Sequence, residues 1–276
     1  EGQQATEFPR AVRGSAGIPQ SLENEVLIAP FNDIDQTTAI IAQYHQELGA
    51  VIVEPFQRML SPVPGFLQGL REVTVHYGIP LIFDEVVTSF RFAYGGAQEY
   101  YGVIPDLAAI GKIVGGGYPL AAVVGKAEIM AAFVQPNKDG VAIGQVGTLN
   151  GNPIAATAGL ATLKVLRQPG TYERLHQLGQ QLRDILSATL REHHVAGQVL
   201  GDGPLYHVVF TPAPIHNHRD MLTGDIKKQQ IFHRELLHHG VLKPASKGYI
   251  SLLHSAADVA ETTQAFDAAM AHVARS

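Results

Sequence analysis

The chain has 276 residues, 46% of them hydrophobic and 16% charged, with a formal net charge of −5 and no cysteine. It can bury a sizeable core in one large domain or two smaller ones, while disulfides, thiolate metal sites, a cysteine nucleophile and a basic field for nucleic acid are all excluded. No run approaches the roughly 20 apolar residues of a membrane span and no basic-then-apolar leader opens the sequence, so the expected address is cytoplasmic and the expected partners are small molecules rather than nucleic acid or membrane.

The opening "EGQQATEFPRAVRGSAGIPQ" begins with Glu1 rather than Met and is polar and irregular, as expected of a piece of something longer. Helix and strand then alternate. Helical spacing at Ile40, Ile41, Tyr44 and Leu48 predicts a helix over 33–49, and the β-branched run at 50–55 a strand buried on both faces. A helix over 64–78 and a buried strand over 80–86 follow, which makes a βαβ unit and hence a parallel sheet. A further strand is expected over 118–126 and a helix over 152–170. After a long amphipathic helix at 171–194 the pattern changes, with strands at 204–210 and 248–254 and helices near 225–239 and 256–274. The expected fold is α/β: a mostly parallel sheet with flanking helices in residues 1–160, then a smaller C-terminal α+β domain in residues 161–276.

In an open parallel sheet, ligands collect at the C-terminal ends of the strands. Glu54 and Asp84 stand at such ends, and Leu81-Ile82-Phe83 delivers Asp84 to the mouth of the sheet. A carboxylate there could equally cap a helix or pair with an arginine. Lys112 lies between apolar runs in "IPDLAAIGKIVGGGYPLAA" and precedes Gly115 to Gly117. Desolvation disfavours an ammonium, and a lysine so depressed attacks carbonyls. The glycines would let backbone pass close to a planar ligand. A phosphate loop is ruled out, because that motif puts its glycines before the lysine and Ser or Thr after it, whereas Ile113 follows here. The competing reading is a surface lysine in a glycine-rich turn.

Together with "VIVEPFQR", "PGFLQGLRE", "LIFDEVVTSFR", "YGGAQEYYGVIPDL", "GTLNGNPIAATAGLATL" and "GYISLLHSAADVAET", the Asp84–Lys112 spacing resembles the class III aminotransferases of fold type I, in particular the glutamate-1-semialdehyde 2,1-aminomutase-like group. The resemblance implies a cofactor, pyridoxal 5′-phosphate (PLP), and a homodimer with shared active sites acting on a small amino or oxo substrate. It places the internal aldimine on Lys112, the partner of the pyridine nitrogen at Asp84, a ring-face contact at Val86 and a phosphate contact to the neighbouring subunit at Thr148. Gln57 is expected near the cofactor's phenolic oxygen or the substrate, and Arg58 as a clamp on a substrate carboxylate.

The likeness has three gaps. The family's upstream phosphate turn and stacking aromatic precede the start of this chain, so residues 1–160 are expected to be the C-terminal portion of the PLP-binding domain. The mutase's gating glutamate would fall near Ser246, where no carboxylate stands, and the carboxylate-binding arginine of ornithine-type relatives has no counterpart in that stretch. Transamination or aminomutation is the leading expectation; the alternatives are a non-catalytic scaffold of the same fold and a PLP-dependent racemase or decarboxylase. The 13 histidines include pairs at His193-His194 and His238-His239 and the "HNH" of His216 to His218. Neighbours on a helix point about 100° apart, so these are read as solvated faces and a polar loop, with no metal site expected.

Overall fold

The computed structural model describes residues 8–276; the first seven residues of the irregular opening lie outside it. α1 (Ile34–Tyr44) starts where the Asp33 side chain accepts the Gln36 N–H at 2.9 Å, and it stops five residues before Gly49, earlier than its apolar spacing predicts. β1 (Val51–Val53), α2 (Phe66–His76) and β2 (Leu81–Glu85) form the expected βαβ unit. A short helix, α3 (Gly96–Tyr101), leads into β3 (Leu107–Ile110), and a 3-10 turn over Lys112–Gly115 leads into β4 (Ala122–Gly125). The sheet order is β1-β2-β3-β4, parallel through β3, with β4 antiparallel at the edge.

Leu81 and Phe83 of β2 are fully buried against Phe66, Leu67 and Leu70 of α2. β1 departs from expectation. It is covered on one side only, and Ile52 is 68% exposed.

After α4 (Ala127–Met130), α5 (Pro153–Leu166) begins at Asn152, whose side chain accepts the Ile154 and Ala155 N–H groups ahead of Pro153 in the first turn. α6 (Thr171–Glu192), β5 (Gln198–Leu200), β6 (Leu205–Val209), α7 (His218–Met221), α8 (Ile226–His238), β7 (Gly248–Tyr249) and α9 (Ala256–Ala274) complete the chain. β5, β6 and β7 form a small antiparallel sheet. Its Tyr206, Val208 and Phe210 meet Leu182 and Leu186 of α6, Phe232 of α8 and Phe266 of α9 in a second core. The strand expected over 248–254 is only two residues long, because the chain turns at Ser251 to His254 to reach the capping box of Ser255 and Asp258 at the start of α9.

Two sets of contacts hold the molecule in register. Phe56, Met59, Phe92 and Leu205 form an apolar seam between the sheets, flanked by Tyr100 and Tyr101 hydroxyls that donate to Asp202 at 2.9 and 3.2 Å. At the base of the first sheet, Asp106 accepts the Leu81 N–H at 2.7 Å, Arg71 at 2.8 Å and Lys126 at 2.7 Å, joining β2, α2 and the strap after β4. Burial would raise the Asp106 carboxyl, but the bonds from Leu81, Lys126 and Arg71 outweigh it and bring it down to about 2. A carboxyl depressed in the folded state stabilises above its ordinary value near 3.9, and that contribution is lost as pH falls toward 2. Asp106→Asn is expected to cost about 2 kcal/mol at neutral pH and to flatten the acid limb of the stability profile, both measured by urea unfolding across pH.

Candidate active site

The sequence "FDEV" divides its two carboxylates between opposite faces of β2, as the two-residue period of a strand requires. Glu85 turns inward. It is completely buried and accepts the Thr88 hydroxyl at 2.9 Å, the Ala97 N–H at 2.6 Å and the Gln98 side-chain amide at 2.9 Å, so it anchors the start of α3. Asp84 is half-buried on the other face, and its one hydrogen bond among the described residues comes from the Val86 N–H at 3.1 Å. The helix-capping role expected as the alternative for Asp84 is filled by Glu85, and neither carboxylate pairs with an arginine among the described residues.

Asp84 is in register with Ala109 on β3, and Lys112 follows three residues further on, just past the C-terminal end of the same strand. The pair thus comes from adjacent strands at one edge of the sheet. Val86 lies over Gly111, with its Cγ1 at 3.4 Å from where a Cβ on that glycine would stand. Lys112 itself has φ of 50°. Of the five non-glycine residues with positive φ among the described residues, Arg58, Phe90 and Lys112 lie in loops that leave the C-terminal ends of β1, β2 and β3. Left-handed backbone is costly for such residues and persists where the surroundings impose it, commonly at ligand sites.

The expected surroundings of Lys112 differ in the structure. The apolar enclosure is absent, since the 3-10 turn carries the residue beyond the strand and leaves it exposed. Among the glycines after it, Gly116 serves helix packing rather than room for a ligand. A Cβ on Gly116 would stand 2.6 Å from the Ala158 carbonyl oxygen, and one on Gly159 would collide with that of Val114, so Gly116 and Gly159 let α5 press directly on the lysine's turn. Gly117, by contrast, faces open space.

Gln57 is half-buried with its Oε1 shielded from solvent and without a hydrogen-bond partner among the described residues. Arg58 is exposed. Thr148 is also exposed, in a turn just ahead of α5, and every residue from 134 to 151 is exposed with it.

Sequence reasoning missed two cations at this edge. Arg91, in the loop after β2, is half-buried; it donates to the Val87 carbonyl at 2.7 Å and lies over the Tyr249 ring at 4.7 Å from its centroid. Lys247, immediately before β7, reaches the same edge from the other sheet. Burial lowers it, Glu54 opposes that, and Lys112, Arg58 and Arg91 lower it further. The stretch that lacks an arginine still delivers a positive charge. The motif "TSFR" contained Arg91 but assigned it no task, while Lys247 is far from the other residues in sequence and only the seam between the sheets brings it close.

Among the described residues no group of three or more His, Asp or Glu is disposed to hold a metal. The His193 ring bonds Asp267 at 2.7 Å, and His238 lies 3.7 Å from Glu235.

The chain belongs to the class-III aminotransferase family, whose pattern matches residues 5–270. It is similar to an ω-transaminase from Sphaerobacter thermophilus, 39% identical with a TM-score of 0.88 over 100% of this chain and 63% of that one. It is also similar to a transaminase with PLP bound, at 28% identity and a TM-score of 0.86 over 96% of this chain and 62% of that one. A glutamate-1-semialdehyde aminomutase from Pseudomonas aeruginosa, in complex with PMP, gives 27% identity and a TM-score of 0.81 over 95% and 60%. The chain therefore spans less than two thirds of the length of these proteins. The cofactor that goes with the family is PLP, and the residues suit it: an amine and a carboxylate that form no ion pair among the described residues, at adjacent strand ends, and the shielded oxygen of Gln57, without a partner among the same residues, in the loop after β1.

The contact between α5 and the lysine's turn yields a test. Gly159→Ala should drive the helix off the turn, costing about 2 kcal/mol in unfolding measurements and weakening PLP retention measured by equilibrium dialysis.

Proposed function

We propose that this chain carries the catalytic lysine and carboxylate of a PLP-dependent transaminase that moves an amino group between small amino and oxo substrates. The observation that supports the reading most is the placement of Asp84 and Lys112 at the ends of two adjacent, register-locked parallel strands. When bound, the cofactor supplies an electron sink for the negative charge left when a substrate Cα loses its proton.

Lys112 would hold the cofactor's aldehyde through its Nζ. The same amine, when not bonded to the cofactor, would move a proton at the substrate Cα as general base and acid. Asp84 keeps a proton on the ring nitrogen, which an ionised carboxylate favours by charge. Val86, which lies over Gly111 beside the lysine, would pack on the ring face. Gln57 accepts or donates at the phenolic edge, and Arg58 orients a substrate carboxylate. Thr148 contacts the phosphate held mainly by a second copy, so we read the working unit as a homodimer with shared sites. The exposed apolar residues Val141, Ile143, Val146 and Leu149 around Thr148 are consistent with a partner surface there.

We further propose that the chain divides functionally near residue 160, the first part carrying the cofactor residues and the second bringing Lys247 to their edge. Amino transfer to a second substrate is favoured over migration within one molecule, because Ser246 and Lys247 occupy the stretch where the mutase reading needs a carboxylate gate. The ω-transaminase likeness, at 39% against 27%, points the same way. A cytoplasmic setting is part of the proposal; no helix among the described residues is long and apolar enough to cross a membrane.

The test is chemical labelling. Incubation with PLP, reduction with borohydride and peptide mapping should place the label on Lys112 in the wild-type protein and remove it in Lys112→Ala, with unfolding stability nearly unchanged because the side chain is exposed. A folded protein that takes up no label, or takes it elsewhere, would favour a non-catalytic scaffold instead.

A further inference from the structure

The turn that leaves β2 carries Val86 and is fastened on both sides of it. On one side the Val86 N–H donates to Asp84 at 3.1 Å. On the other, the Val87 carbonyl accepts Arg91 Nε at 2.7 Å, and no other group among the described residues donates to that carbonyl. The same guanidinium lies over the Tyr249 ring, 4.7 Å from its centroid. A planar guanidinium can do both at once, donating from its edge while its charge rests on a ring face.

Tyr249 is itself held in place. It belongs to β7, stands in register with Leu205 on β6, and packs against the seam of Phe56, Met59, Phe92 and Leu205. Gly248 beside it has no room for a side chain, because a Cβ there would collide with the Tyr206 ring. Phe92, the neighbour of Arg91, enters the same seam and is 1% exposed. Residues 91 and 92 therefore grip the small sheet with one side chain each, and the grip of Arg91 continues into the turn that carries Val86.

The guanidinium serves no ion pair. It is half-buried, burial pulls it below its ordinary value, and no carboxylate lies at ion-pair distance from it among the described residues. An arginine kept only for surface charge would leave its head in water.

We propose that Arg91 is a positioning residue: it carries the placement of the small sheet, through Tyr249, to the Val86–Val87 turn, and so sets how Val86 and the Asp84 carboxylate stand toward the cofactor ring. The inference rests on the transaminase reading for what those two residues touch, whereas the link from β7 to the turn stands on the contacts themselves. Lys247 immediately precedes β7, so a substrate group that draws Lys247 toward the mouth would be felt at Val86 as well.

The experiment has two arms, both on the full chain. In the first, without cofactor, the Val86 amide resonance reports its bond to Asp84 by NMR. It should move in Arg91→Gln and in Tyr249→Leu, move no further when the two are combined, and stay in place in Tyr249→Phe, because the contact is to the ring. In the second arm, PLP retention is measured by equilibrium dialysis and the orientation of the bound ring by visible circular dichroism. Arg91→Gln and Tyr249→Leu should each weaken retention about tenfold and alter the dichroism. The double variant should be no worse than either single one, as expected of two residues acting as a unit. Arg91→Lys should fall between, since it keeps the charge without the fixed edge donor. Should Arg91→Gln fail to fold, Arg91→Lys and Tyr249→Leu carry the same comparison. An unmoved Val86 amide in the folded variants, or losses of retention that add in the double variant, would overturn the proposal. A Val86 amide that responds as expected in a protein whose wild type takes up no PLP would count against the transaminase reading and still support the link from β7 to the turn.

Discussion

Asp84 and Lys112 are joined by a ladder of backbone hydrogen bonds rather than by a contact of their own. The parallel register of β2 with β3 sets Asp84 opposite Ala109, and the chain then travels three residues to Lys112. Because side chains on a strand alternate faces, a slip of one residue would turn Asp84 inward and bring Glu85 to the ligand side. That register is pinned at both ends. Asp106 ties the start of β2 to the approach of β3 through the Leu81 N–H, and Glu85 locks the opposite end onto α3. Two buried carboxylates hold the backbone so that a third can stay free.

Much of this was legible in the sequence because it depends on local pattern. The short continuous apolar run Leu81-Ile82-Phe83 marks β2, amphipathic spacing marks α6, and "FDE" ahead of a lysine in a glycine-rich stretch leads to the two central residues. What stayed hidden depends on long-range packing. β1 reads as a strand buried on both faces, yet Ile52 is exposed because no described element covers that side. The glycines after Lys112 look like a ligand cradle, whereas Gly116 makes room for α5, which lies more than thirty residues downstream. "GYISLLH" reads as seven residues of strand and delivers two, since the cap of α9 begins there.

The same limit applies to charge. Arg58, Arg91, Lys112 and Lys247 come from four separate segments and gather at one edge with two acids, Glu54 and Asp84. Few cues in any one segment announce that excess. It arises where the apolar seam of Phe56, Met59, Phe92 and Leu205 fastens one sheet to the other, and it gives the strand-end mouth a positive field suited to anionic groups on a cofactor or substrate.

If the register of β2 and β3 exists to aim Asp84 at a heterocycle, the protonation state of that heterocycle reports on it directly. The measurement is the ¹⁵N chemical shift of the ring nitrogen in protein loaded with ¹⁵N-labelled PLP, for wild type and for Asp84→Asn. The account predicts a protonated ring nitrogen in the wild type across neutral pH and an unprotonated one in the variant; the same shift in both proteins would contradict it.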